Sequence, residues 1–522
     1  MLGSLILVAA VANLNLSVAN VALPDIGKSF DSSQTMLDLI AVGYSLGLAA
    51  SVIWLGAIGD RYGRKLLLVL GMCLSVPASL LAGFAPSDTV LFIARVVGGI
   101  SAGLAYPTTL ALITALWSGP GRTKSIALWS ALGGGIAALG PLVSGFLLEH
   151  FSWKSVFLVT LPLVAVALPM AIRYVPSHVN ETSDPVDNLG GIISAVLVGA
   201  LILSINFLPV PNEHTLAIAL LIVALAAAVA FFLRERRAKN PLYDLHIAAR
   251  TTFWVAACAG IIVFGSLMGA AFISQQYLQN VLGYSTLESG AAILPAVFAM
   301  VLVAPRSAQL VVVRGSRFTL LLGQFFLLLA FVGMLLLWKE NTSYWQVAIP
   351  YLFIGIGVGL AGTPSSNSLT GSVPVERVGM ASGTADLQRD LGGALMTSIF
   401  GALLTAGYAS AMGAAVSSSG HNVTDNTQSQ LQVSYASAEN LASQYPQYAS
   451  QITAAAKSSF LSGDQWAYTA ALVAVLIGMT LVFFRFPKKE AEEELRAAYH
   501  AQDTELRPAT PAPAPEAEVV IS

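Results

Sequence analysis

Apolar runs about as long as a membrane-crossing helix, separated by short polar breaks, fill most of this chain. The first covers Leu2–Leu23. The next five cover Leu37–Ile58, Leu66–Ala85, Val90–Ala115, Ser125–Leu148 and Trp153–Ile172. A polar linker, Tyr174–Asn188, interrupts the pattern before two more runs, Leu189–Leu208 and Thr215–Leu233. After the basic segment Arg234–Arg250, runs begin near Phe253, Ser289, Phe318, Trp345 and Met380, and the last covers Trp466–Phe484. A helix needs roughly 20 apolar residues to cross the hydrocarbon core, so the pattern predicts an all-α integral membrane fold with fourteen spans. The first run has no basic segment before it and reads as span 1, not as a cleaved leader.

Composition narrows the class. Charged residues are 10% of the chain, against about 25% in soluble proteins. That is too few to cover the surfaces of a soluble chain of this length. The net charge of -2, with no basic stripe, argues against nucleic acid as a partner. Cys73 and Cys258 both sit in apolar runs, so free thiols are expected, with no disulfide and no metal site. No nucleotide-binding loop or catalytic constellation stands out. The expectation is a membrane protein that is not an enzyme and needs no cofactor, with an ion gradient as any energy source.

Charge also orients the spans. With fourteen of them, 19 of the 26 Lys and Arg fall on one side of the membrane and four on the other. The positive-inside rule then puts both termini in the cytoplasm. The polar breaks divide the spans into six, two and six: an N-terminal set at 1–173, a linker with two extra central spans at 174–250, and a C-terminal set at 251–486. Residues 410–463 are expected as an external loop, and 487–522 as a largely disordered cytoplasmic tail that begins with a short surface helix. The expected setting is the plasma membrane, with the chain acting as a monomer on a small-molecule substrate.

The turn Gly56-Ala-Ile-Gly-Asp-Arg-Tyr-Gly-Arg-Lys65 closely resembles the loop between spans 2 and 3 of the major facilitator superfamily. The resemblance implies two six-helix bundles with the substrate site at the midplane between them. It also implies a cytoplasmic latch of Asp60, Arg61 and Arg64, with Gly56 and Gly63 allowing close approach. A worn echo of this turn lies at Arg314-Gly-Ser-Arg317. The stretches Asn20–Pro24, Trp153–Leu158, Gln276–Ser285, Ala381–Gly383 and Leu391–Gly393 resemble the fourteen-span drug:proton antiporters of the EmrB/QacA type. Gly133–Gly135, Gly140, Pro141 and Gly145 resemble the antiporter motif of proton-coupled exporters. Small residues there let helices approach closely.

An ionisable group inside a span is costly and calls for a functional hypothesis. Arg95 matches a family arginine linked to proton transfer. Asp386, Arg389 and Asp390 share one face of span 13: at 100° per residue the aspartates lie about 40° apart and the arginine about 60° to the other side. Related exporters usually carry neutral amides at the two aspartate positions. They place an acid where this chain has Asn15, which cannot hold a proton. Asp38, at the start of span 2, is a further coupling candidate, and Asn15, Asn20, Gln275 and Gln279 are candidate substrate contacts. The resemblance thus implies a proton-coupled exporter of hydrophobic or amphipathic compounds. A dedicated exporter or facilitator of one metabolite, siderophore or lipid stays open, as does a non-transporting membrane sensor.

Overall fold

The computed structural model describes residues 1–117, 125, 129, 136, 139–177, 185–208, 210, 213–373, 378–419 and 423–505, apart from the side chains at 60, 114, 378, 379, 382, 500, 504 and 505. Gly133–Gly135 and much of the first half of the fifth expected span lie outside the described residues, as does the Asp60 side chain.

The apolar runs fold as long helices. α1 (Leu2–Ser17) and α2 (Ala19–Phe30) meet at a 41° bend. Then come α3 (Gln34–Tyr62), α4 (Arg64–Gly83), α5 (Asp88–Leu116), the helical residues 139–150 (α6), α7 (Lys154–Leu158) and α8 (Thr160–Tyr174). The linker gives α9 (Asn188–Phe207) and α10 (His214–Arg237). α11 (Leu245–Ala248) leads into α12 (Thr251–Gln276), which runs on as a π-helical turn, Tyr277–Val281. After it come α13 (Thr286–Ala292), α14 (Leu294–Arg314), α15 (Ser316–Leu337), α16 (Tyr344–Thr370) and α17 (Val378–Ser418). α18 (Asp425–Val433), α19 (Tyr435–Gln444), α20 (Ala449–Arg485) and α21 (Lys489–Glu505) complete the chain. Among the described residues 12 helices are long and apolar enough to cross a membrane, or 13 if the bent pair α1–α2 is one crossing, against the fourteen expected. The fifth expected span is described in its second half, 139–148, and only at scattered residues before it.

Local chemistry sets the helix ends. Ser33 and Ser87 cap α3 and α5 by accepting from the Met36 and Val90 amides at 3.2 and 3.3 Å. Such caps satisfy amides that have no partner inside the helix. Ser285 and Glu288 form a reciprocal box at the start of α13.

Two bundles result. In the first, α5 packs against α1, α3 and α4, and α8 against α1 and α4. In the second, α16 packs against α12, α14 and α15, and α17 against α12 and α20. Because lipid is as apolar as leucine, close backbone approach drives this packing more than burial does. A Cβ on Gly47 would stand 2.1 Å from the Val96 carbonyl oxygen, and one on Gly99 2.0 Å from that of Tyr44. The second bundle repeats the device: a Cβ on Gly355 would stand 2.0 Å from the Ala296 oxygen. The turns repeat as well, since Gly63 joins α3 to α4 at φ 112° and Gly315 joins α14 to α15 at φ 85°. Only glycine takes up such angles without strain.

The structure refines three expectations. The extra pair, central in the chain, packs beside the seam. α9 covers the seam between α3 and α17, while α10 packs on α9 and exposes Ile218, Ile222, Leu225 and Val229. Residues 410–463 are not a free loop: α17 continues to Ser418, α20 begins at Ala449, and α18 and α19 fold back between them. The tail begins with a helix, α21, and that helix is docked. Its Glu492 accepts from the Ser316 hydroxyl at 2.9 Å, and Asp503 accepts from Arg250 at 2.5 and 3.1 Å.

Candidate functional site

The bundles meet along α3 and α17, with α9 sealing one flank. There Val42 and Leu46 of α3 pack with Ile202 of α9 and Ala394 of α17. The Asn206 amide donates to the Ser398 hydroxyl at 2.8 Å, tying α9 to α17.

The charged trio of α17 lies on this seam. Asp386 and Asp390 are buried. Arg389 stands 3.5 Å from Asp386 and 3.9 Å from Asp390, within ion-pair reach but beyond a hydrogen bond. One oxygen of each carboxyl has no partner. The guanidinium lies 4.6 Å above the Tyr106 ring of α5, so the trio touches the opposite bundle through its cation. Next to it, Gln388 accepts from Ser365 at 3.1 Å inside the C-terminal bundle.

Arg95 sits across the seam, buried, and does not join the trio. It donates to the Asn15 carbonyl at 2.6 Å and the Ile40 carbonyl at 3.3 Å, and its guanidinium lies 4.9 Å from the Tyr44 ring. One of its nitrogens has no partner. A cavity of about 20 Å³ lies beside it, walled by Asn15, Tyr44, Ser79 and Phe157. That is room for about one water. Asn15 accepts through its side chain from Thr160 at 3.3 Å. The neutral residue that replaces the expected acid therefore adjoins the span 4 arginine.

Asp38 also bridges the bundles. It accepts from Gln34 of its own helix at 2.9 Å and from Thr405 of α17 at 3.1 Å. Gln34 donates in addition to Gln276 of α12 at 3.2 Å. These contacts belong to a closed face. Gln279 donates to the Val21 carbonyl at 3.1 Å, Lys28 pairs with Glu439 at 3.1 Å, and Asn440 donates to Asp31 at 3.0 Å. The glycines expected to form an antiporter motif take part. A Cβ on Gly145 would stand 2.5 Å from the Thr286 carbonyl oxygen, and one on Gly140 1.9 Å from the Ser17 hydroxyl. The Pro141 carbonyl is pressed against Gly290.

The four candidate amides do not converge on one cavity. Asn15 is committed near Arg95 and Asn20 is half-buried at the start of α2. Gln275 donates to the Ser289 carbonyl at 3.0 Å inside the second bundle, and Gln279 is spent on the closed face. At the Gly63 turn, Arg64 donates to the Ala111 carbonyl at 3.3 Å and Arg61 lies 5.5 Å from the Tyr62 ring. Gly56 allows no close approach here, because a Cβ on it would meet nothing within 4 Å.

The model of the Major Facilitator Superfamily matches residues 5–397. The chain belongs to that superfamily. As a member it is a multi-pass membrane transporter of small molecules. It is 32% identical to multidrug resistance protein Stp of Mycobacterium tuberculosis over 75% of this chain and 73% of that protein. It is also 32% identical to the multidrug efflux pump LfrA of Mycolicibacterium smegmatis, over 74% of this chain and 77% of that protein. The fold is similar to that of a bacterial homologue of the human lysosomal transporter Spinster in an inward-facing, unoccupied conformation. The TM-score is 0.60 at 16% identity, covering 95% of this chain and 97% of that one.

A buried acid inside the last helical span is not evident from the sequence. Asp464 lies on α20, 1% exposed. The last apolar run begins two residues later, at Trp466, so Asp464 reads as loop edge. Counting the helix back to Ala449 is what places it in a span.

Proposed function

We propose that this transporter exports hydrophobic or amphipathic compounds, drugs among them, in exchange for protons by alternating access. The observation that carries the proton part is the α17 trio. One permanent cation faces two buried carboxyls, so the group is electrically neutral only when one proton is bound. Its cation lies on Tyr106 of the other bundle, so gain or loss of that proton acts on the seam that must open. The drug part is supported by the relatives named for multidrug resistance and efflux. The arrangement fits fourteen crossings: the 12 apolar helices, the bent pair and the helical residues 139–150 supply the candidates. With both termini cytoplasmic in the plasma membrane, the face of Gly63 and Gly315 is cytoplasmic and carries the Asp60–Arg61–Arg64 latch. The face of α18 and α19 is external, and a single chain suffices.

Accumulation of a compound panel in cells lacking the gene, with and without an uncoupler, tests this reading. Uncoupler-sensitive export of several unrelated compounds is expected. Asp386→Asn should bind substrate yet lose pH-driven export. If Asp386→Asn and Asp390→Asn each export at the wild-type rate with unchanged pH dependence, coupling does not reside on α17. Asn15 favours a second reading, a dedicated exporter of one metabolite, because it stands where related exporters carry an acid. Export of one compound alone from the same panel would decide for it.

A further inference from the structure

Span 14 carries a carboxyl group that the seam does not use. Neither side-chain oxygen of Asp464 has a hydrogen-bond partner. One turn on, the Tyr468 hydroxyl is buried and also unpartnered. Tyr277 faces the same carboxyl from the end of α12, with its hydroxyl committed to the Lys339 carbonyl at 2.8 Å. Trp338 walls the group, stacked on Tyr277 at 4.8 Å and edge-on to Tyr468 at 5.8 Å. Tyr351 lies behind it and donates to Ser274 at 2.6 Å. Among the described residues, the phenols of Tyr277 and Tyr468 face Asp464, and its carboxyl has no hydrogen-bond partner.

An ionised carboxylate removed from water with neither a donor nor a counter-charge is so unfavourable that the group keeps its proton instead. The position also lies at a close helix crossing. α17 and α20 cross backbone to backbone beside it: a Cβ on Gly407 would stand 2.7 Å from the Gly463 Cα, and one on Gly463 2.6 Å from the Leu404 carbonyl oxygen. The same stretch of α17 meets Asp38 through Gly401 and Thr405. From Asp38 a polar chain runs through Gln34 to Gln276, the neighbour of Tyr277. At Tyr277 the helix changes from α to π winding, a feature common at functional sites.

We propose that Asp464 is a second proton-binding group of this transporter, neutral while α17 and α20 are closed and releasing its proton when they part and water reaches the space between Tyr277 and Tyr468. Its role in transport rests on the proton-coupled reading above; the bound proton itself does not. The ligand is a proton and not a metal ion. Hard cations such as calcium gather about 6–8 oxygens, and the described residues hold no group of three His, Cys, Asp or Glu that would serve.

Infrared spectroscopy of the purified full-length transporter in lipid nanodiscs reads the carbonyl stretch of a protonated carboxyl directly. At neutral pH the wild type is expected to show a component that Asp464→Asn lacks and that Asp464→Glu retains at a shifted frequency. In proteoliposomes with ethidium as the transported probe, Asp464→Asn should lower the pH dependence of the rate by about one proton per transport event. Asp464→Glu should keep that dependence and so exclude a folding defect at the position. A protonated-carboxyl spectrum unchanged in Asp464→Asn overturns the proposal. A pH profile identical to wild type overturns the coupling role. If wild-type ethidium export ignores the proton gradient, the coupled reading fails, and the infrared component still decides whether Asp464 binds a proton.

Discussion

Gly63 and Gly315 each turn the chain from one long helix into the next within a single residue, at matching places in the two bundles. Their surroundings differ. α4 opens with Arg64 and Lys65, two cations at the positive end of its dipole, where they oppose it by about 0.3–1 kcal/mol each. α15 opens with Ser316, whose hydroxyl donates to the Glu492 carboxylate at 2.9 Å, so a negative group sits at the positive end. The first turn is charged against its own helix stability. The second is completed by a segment some 175 residues further on, α21. The contrast supports the proposed functional role of the first turn, while the second is held by α21.

The largest effect should come from the first turn, and on transport alone. Arg64→Ala should fold as stably as wild type, since it removes a charge from the wrong end of α4, yet lower export by about tenfold or more, the effect of about 1.4 kcal/mol on a conformational equilibrium. Parallel efflux and thermal-melting measurements check both halves. Normal efflux from a well-expressed Arg64→Ala protein would remove the functional side of the comparison.

The second turn should respond in the opposite way. Gly315→Ala forces a side chain into the left-handed region at about 1–2 kcal/mol and brings its Cβ to 2.9 Å from that of Lys489, dislodging α21. A lowered melting temperature with export still measurable is expected. Glu492→Ala is milder. It leaves Ser316 and Arg496 without their carboxylate, at about 1–3 kcal/mol for an unsatisfied buried group, most of it local. Hydrogen exchange should quicken at 315–319 and 489–505. Unaltered exchange there would mean that α21 is not what completes the second turn.

The helical runs and the first turn were legible because their signals are local. Twenty apolar residues read as a span wherever they stand, and Gly-Asp-Arg-Tyr-Gly-Arg-Lys announces a charged turn. The docking of α21 was not legible. Arg250 and Asp503 are 253 residues apart, and nothing around Asp503 distinguishes it from a solvated acid. Asp464 was hidden by the polar half of its own helix, which pushed the apparent start of the span past it. Asp386, Arg389 and Asp390 could be placed on one face from helical spacing. That their opposite wall is Tyr106 depends on how α5 crosses α17, which no periodicity encodes.

The smallest effect sharpens the comparison most. Lys65 lies beside Arg64 in the same first turn and donates to the Ile172 carbonyl at 2.8 Å in an exposed setting. A hydrogen bond open to water exchanges readily with solvent, and surface substitutions of this kind usually stay within about 0.5 kcal/mol. Removing the charge also relieves the helix dipole, so the two terms nearly cancel. Lys65→Ala should therefore melt like wild type. The proposed latch consists of Asp60, Arg61 and Arg64, so Lys65→Ala should also export like wild type. Efflux and melting measured beside Arg64→Ala give the decisive contrast. If Lys65→Ala loses as much transport as Arg64→Ala, the first turn acts through its total positive charge, as a topological anchor would, and the residue-specific latch fails.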